Sequence, residues 1–405
     1  MQRRDLIKYL SLTPLAAGTA LTTSPLLAQP ASPAAKRDLF KELGVRTFIN
    51  AAGTYTAMTG SLMRDYVVET INEASKEFCM MDELQDKVGE KIAALVHSES
   101  AVVTTGAFSA MTLGLAGILT GMDTKKVEQL PHLEGTGMKS EVIIQKAHTI
   151  VYNHALQNTG CNIIYVETAE EVEKAINEKT ALLHFLNIEA DKGKIMHEEW
   201  VAIGKKHGIP TSIDIAADVP PVSNLWKFND LGFSFVAISG GKAIRGPQSA
   251  GLLMGKKDII AAARLSMPPR GFNIGRGFKV NKEEVLGMYV AIESYIKQDH
   301  EKEWKEWEAA TAVIDNSVKT INGVSTKINV PPLGNITPTL SISWDNTKVK
   351  IAGKDLQQNL RNGTPSIEIG NAQEKSISIT VWMLKPGQEK TVAARITEEL
   401  KKAAV

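Results

Sequence analysis

Lys242 closes the run Ala237-Ile238-Ser239-Gly240-Gly241-Lys242. An amine there, behind two glycines, can fold back towards a sheet. It can form an imine with an aldehyde cofactor, and act as a base or acid once released. Its plainer reading is a solvated surface lysine. Asp214 ends the apolar run of Ser212-Ile213-Asp214-Ile215-Ala216-Ala217-Asp218. A carboxylate there is costly unless it meets a cation. A protonated pyridine nitrogen is one such cation, and keeping it protonated makes the ring an electron sink. The plainer reading is a cap on the following helix. Thr105-Gly106-Ala107 lies inside Thr104–Ser109, between a strand and a helix. Free N–H groups and the positive end of a helix dipole suit a phosphate there. Alone, it is also an ordinary strand-to-helix turn.

The elements that must position these residues are short and alternate. Strands are expected at 48–54, 101–104, 142–144, 162–166, 181–185, 211–214, 235–238 and 251–254. Helical periodicity runs from Asp65 to Val96, with Val67, Ile71, Ala74 and Phe78 on one face, and helices follow at 110–119, 152–157, 169–177 and 198–207. Such alternation means an α/β architecture around a mostly parallel sheet, which binds ligands at the carboxyl ends of its strands. A long charged helix, about Lys282–Val318, leads to residues 320–405. There Leu340–Trp344 and Ile377–Val381 alternate with period two, and 354–361 and 388–402 read as helices, giving a small α+β region. The expected division is a large α/β domain over 38–290, then a connecting helix and small domain over 291–405.

Asp214 lies 108 residues after Gly106, and Lys242 lies 28 after Asp214. That order, with each group ending a strand, resembles fold-type-I pyridoxal 5′-phosphate (PLP) enzymes, the aminotransferase-like class. Four segments narrow the likeness: Ile49–Thr54, Met81–Leu84, Ile213–Ala217 and Ser239–Gln248. They resemble the bacterial selenocysteine synthase family, in particular its branch that does not act on tRNA and includes the D-glucosaminate-6-phosphate ammonia-lyases. The resemblance implies that Lys242 carries PLP and moves protons at Cα, and that Asp214 pairs with the pyridine nitrogen. It implies that Thr105, Gly106, Ala107 and Ser239 hold the phosphate, and that His148 stacks on the ring. Arg276 and Arg245 are implied as binders of an anionic substrate group. One departure stands out. Where many relatives have an arginine near the C-terminus, this chain has Glu368-Ile369-Gly370.

For such an enzyme the implied reaction is α,β-elimination or deamination at Cα of a small amino-group substrate. Racemisation, epimerisation and transamination are alternatives. A PLP-fold protein that binds without turnover is the alternative from another class. The site of a fold-type-I enzyme usually forms between two subunits, so a homodimer or higher homo-oligomer is expected.

The remaining features set bounds. The chain has 405 residues, with 46 Lys+Arg against 45 Asp+Glu. No basic excess points to nucleic acid. No metal-binding or P-loop motif is present, and no run after the N-terminus is long and apolar enough to span a bilayer. Arg3-Arg4-Asp5-Leu6-Ile7-Lys8, a mildly apolar run to Ala28 and a Pro/Ala/Ser-rich linker over 29–37 have the layout of a twin-arginine export signal. A periplasmic or exported bacterial protein is therefore expected. The two cysteines, Cys79 and Cys161, are expected to be buried free thiols. Asn335-Ile336-Thr337 and Asn362-Gly363-Thr364 match glycosylation sequons by chance.

Overall fold

The computed structural model describes residues 37–405. Contacts divide the chain into two units, Met1–Thr47 and Phe48–Val405. In the first, a short helix, Leu39–Glu42, is capped by the Asp38 side chain, which accepts from the Lys41 N–H. The export-signal residues lie outside the described residues.

The second unit opens with β1 (Ile49–Ala51). The central sheet takes β2 (Ser100–Thr104), β3 (Glu141–Gln145), β4 (Asn162–Val166), β5 (Thr180–Leu186), β6 (Thr211–Asp214), β7 (Phe235–Ser239) and β8 (Gly251–Gly255). Their order is β2-β8-β7-β6-β5-β3-β4. Every adjacent pair is parallel except the two made by β8. β8 runs the other way because the chain turns straight back after β7, with no crossover helix; Lys242 lies in that return. Val102, Val142, Ile144 and Leu253 face one core, while Val103, Ile143, Leu252 and Met254 face another. This period-two division puts apolar surface on both faces, so helices cover both. The edge strand β2 is blunted by Gln85, whose side chain accepts from Val103 N (3.1 Å) and donates to Val103 O (3.0 Å).

The later strands are β9 (Val324–Asn329), β10 (Thr339–Trp344), β11 (Ile367–Ile369), β12 (Ala372–Gln373) and β13 (Ser376–Thr380). Four form the antiparallel sheet β12-β13-β10-β9, while β11 pairs in parallel with β1. Leu340, Ile342, Ile377 and Ile379 pack with Ile314, Leu356 and Ile396 into a third core cluster. Trp307 packs against this cluster and against one core of the central sheet.

Three local readings need correction. The 65–96 periodicity belongs to two helices, Asp65–Ala74 and Met81–Leu95, and Phe78 between them is fully exposed. The 282–318 stretch is likewise two helices, Lys282–Lys297 and His300–Val318. Asp299 starts the second by accepting from Lys302 N, an N-cap that ends one periodic run and begins another. Of the two thiols, both free, only Cys161 is buried; Cys79 is exposed beside Phe78.

Candidate active site

The register of the sheet assembles the site. Thr104 and Ser239 both stand opposite Gly251 of β8, so the ends of β2 and β7 lie at one level. Asp214 pairs with Ala237, two residues before Ser239. The Gly106 turn, Asp214 and the Ser239–Lys242 return thus share the carboxyl edge of the sheet. Gly251 allows this. A Cβ on it would lie 2.4 Å from the Gly106 carbonyl carbon and 2.6 Å from its Cα.

At the Gly106 turn the backbone takes φ +81°, and a Cβ there would meet nothing within 4 Å. The helix that follows, Gly106–Thr120, has no side-chain cap. Thr105 Oγ1 instead donates to Ser109 Oγ (3.0 Å), which donates to Gly106 O (3.1 Å). The first N–H groups are therefore left for an incoming anion, in front of open space.

Asp214 is buried and accepts from Ala216 N (2.8 Å) through Oδ1. Burial raises its pKa, against the Ala216 hydrogen bond and the Lys242 charge. Lys242 is half-buried; burial lowers its pKa, opposed by the charges of Asp214 and Asp218. Asp218 had no role in the sequence reading. It too is buried, and burial carries its carboxyl up to about 7, against a hydrogen bond from the Asn187 side chain. Asn187 Oδ1 in turn accepts from His197 Nε2 (2.8 Å). Gly334 N donates to Asp218 Oδ1 (3.2 Å), and Asn335 N donates to Ala217 O (2.6 Å). A turn from between β9 and β10 is thereby fastened to the loop that carries Asp214. Only the four-residue spacing of two acids hinted at Asp218; its partners are remote in sequence.

His148 follows β3 but is fully enclosed. Its Nδ1 accepts from Leu186 N (3.3 Å), and its ring meets Phe185 edge-on at 4.5 Å. Burial and the nearby His197 lower its pKa to about 4, so the ring is neutral at neutral pH. The structure thus brings His148 to the carboxyl edge without opening a ring face to the cleft. Arg245 follows Lys242 and donates through Nη2 to Trp382 O (2.5 Å). Arg276 is exposed, on a loop between the helices Lys257–Leu265 and Lys282–Lys297.

A buried carboxylate, an amine of lowered basicity and an open helix N-terminus on one sheet edge fit the nitrogen, aldehyde and phosphate of PLP. Residues 63–272 match the aminotransferase class-V family model. The chain belongs to the aminotransferase class-V family. Within this family it resembles D-glucosaminate-6-phosphate ammonia lyase of Salmonella typhimurium (strain 14028s / SGSC 2262), at 25% identity over 91% of this chain and 99% of that protein. It resembles 5′-C-glycyluridine monooxygenase-decarboxylase of Streptomyces sp at 26%, over 89% and 92%. The L-seryl-tRNA(Sec) selenium transferase of Serratia proteamaculans (strain 568) matches at 23% over half of this chain and 45% of its own. A solved D-glucosaminate-6-phosphate ammonia-lyase structure superposes with TM-score 0.79 at 23% identity, over 91% of this chain and all of the other. The aminotransferase-like α/β fold expected from the sequence is the fold observed, and PLP is the cofactor that this family and site call for.

Proposed function

We propose that this protein is a PLP-dependent lyase that deaminates an amino acid or amino-sugar acid by α,β-elimination. The observation that carries this reading is the Lys242 amine, half-buried near two buried carboxylates at the sheet edge. The full-length likeness to an ammonia lyase supports the reaction type. PLP bound at this site would supply an electron sink to the substrate's Cα.

The chain's own groups do the rest. N–H groups of Thr105, Gly106 and Ala107, with the Ser239 hydroxyl, hold the phosphate. The Asp214 carboxylate would hold a proton on the ring nitrogen. Once released from the cofactor, Lys242 Nζ would take the proton from Cα, and its lowered basicity leaves more of it neutral and able to accept. Arg245 and Arg276 are the cations offered to an acidic substrate group.

Addition of PLP to the purified protein should give a visible absorption band, and Lys242→Ala should remove it along with turnover. Release of ammonia and keto acid from hydroxy amino acids and amino-sugar acids supports the lyase. Solvent-deuterium exchange at Cα without either product sinks it in favour of racemisation.

Two further parts of the reading concern the setting. Arg3, Arg4 and the weakly apolar run to Ala28 support twin-arginine export to the periplasm; replacing both arginines by lysine should retain the protein in the cytoplasm. Among the described residues no helix is long and apolar enough to cross a membrane. Exposure of Phe78, Met80 and Phe272 supports assembly with a second copy.

A further inference from the structure

The proposed reaction uses one of the two buried carboxylates near Lys242 and leaves the other, Asp218, without a task. The setting of Asp218 is built in some detail. Its N–H donates to Ile215 O (3.1 Å), and Ile215 N donates to Ala237 O (2.9 Å). The turn therefore lies along β7, whose return carries Lys242. The Asp218 carbonyl is tied down as well, accepting from Asn224 Nδ2 (2.6 Å).

The carboxylate has two donors from remote parts of the chain. One is Gly334 N, on Oδ1 (3.2 Å). The other is the Asn187 side chain. Asn187 Oδ1 is taken by His197 Nε2 (2.8 Å), which leaves the N–H end of the amide for Asp218. His197 brings no cation to these bonds. Burial, and then the Lys227 charge, hold its pKa at about 4, so the ring is neutral at neutral pH. The charges that act on Asp218 are those of Asp214 and Lys242.

Lys242 feels the same two carboxylates in return. An amine that takes a proton in a desolvated site must keep it as an ammonium, and each nearby carboxylate makes that ion less costly. In the proposed reaction Asp214 is engaged by the ring nitrogen, which leaves Asp218 for the lysine.

We propose that Asp218 is a positioning residue of this site: it keeps a second negative charge beside the Lys242 amine and so governs when that amine is free to accept a proton. Its meaning for catalysis rests on the reading of Lys242 as the PLP lysine; its effect on the amine does not.

The test is made first on cofactor-free protein, with trace acetic anhydride as the probe and mass spectrometry of the Lys242 peptide as the readout. Acetylation needs the neutral amine. Asp218 carries a proton below about pH 7 and a charge above it. Wild type and Asp218→Asn should therefore label alike at about pH 6 and diverge above about pH 8, where the variant should react ~10-fold faster, the usual worth of one neighbouring opposite charge. Asp218→Glu, which keeps the charge, should stay close to the wild-type curve. If Asp218→Asn does not fold, Asn187→Ala serves. Losing a donor keeps Asp218 protonated to higher pH, so labelling should outpace the wild type near about pH 8. Curves that coincide throughout, or that stay a constant factor apart, overturn the proposal; loss of a structural contact alone would move labelling at every pH alike. With PLP bound, the pH midpoint of the visible band should be lower in Asp218→Asn than in the wild type, and an unchanged midpoint overturns the part of Asp218 in catalysis. A wild type with no band refutes the PLP reading and leaves the labelling result standing.

Discussion

Asp214 and Asp218 have the same side chain and nearly the same burial, yet one was legible in the sequence and the other was not. Asp214, Lys242 and the Gly106 turn each end an apolar strand, a local pattern. Asp218 acquires its character from Asn187 and Gly334, which no local pattern connects to it. His148 is a related case: its position at the end of β3 could be read, but its enclosure by Phe185 and Leu186 could not. Asp218 carries a testable sign. Its carboxyl titrates at about 7 in the fold, and at about 4 when unfolded. Between those values the unfolded chain releases a proton that the folded one keeps, so this group costs stability as pH rises through the window. Asp218→Asn has no such loss. Its urea midpoint should gain on the wild type between pH 4.5 and pH 8; a constant difference would place Asp218 outside this account.

Strand positions were readable because a doubly covered parallel sheet needs short apolar runs. Helix ends were less so. Asp299 lies within a charged stretch whose periodicity continues across it, and the break is marked by extended backbone at Gln298 and by the Asp299 side chain's bond to Lys302 N. The same holds for the exposed stretch around Phe78. Register mattered more than the ends. It sets Thr104, Gly251 and Ser239 side by side, which no single segment announces. Gly251→Ala tests that alignment. Its Cβ would press on Gly106 backbone, so the strand or the turn has to shift. PLP affinity should fall at least ~10-fold and stability by about 1–3 kcal/mol, as for overpacked cores. Fluorescence titration with PLP and thermal unfolding measure the two; an unchanged PLP affinity would detach the Gly106 turn from cofactor binding.

For the whole molecule, the α/β class and the α+β C-terminal region could be read from patterning alone. The link between them could not. The Gly334–Asn335 turn fastens to the Asp214 loop through its own backbone N–H groups, which leave no mark in the turn's side-chain pattern. The backbone N–H of its sequon asparagine makes one of those contacts. Assembly gives a prediction at this scale. Phe78→Glu with Met80→Lys should weaken a dimer in sedimentation equilibrium while leaving the circular dichroism unchanged; an unchanged mass would move the interface elsewhere.

The pairing of β1 with β11 also orders events in time. Ile49–Ala51 leave the ribosome early, but their partners Ile367–Ile369 are made close to the end of the chain. No partial chain can close that pair, so the first strand waits for almost the last. That pair therefore closes only once residues 367–369 have been made, and a chain truncated before residue 367 should present an unpaired strand to chaperones and proteases.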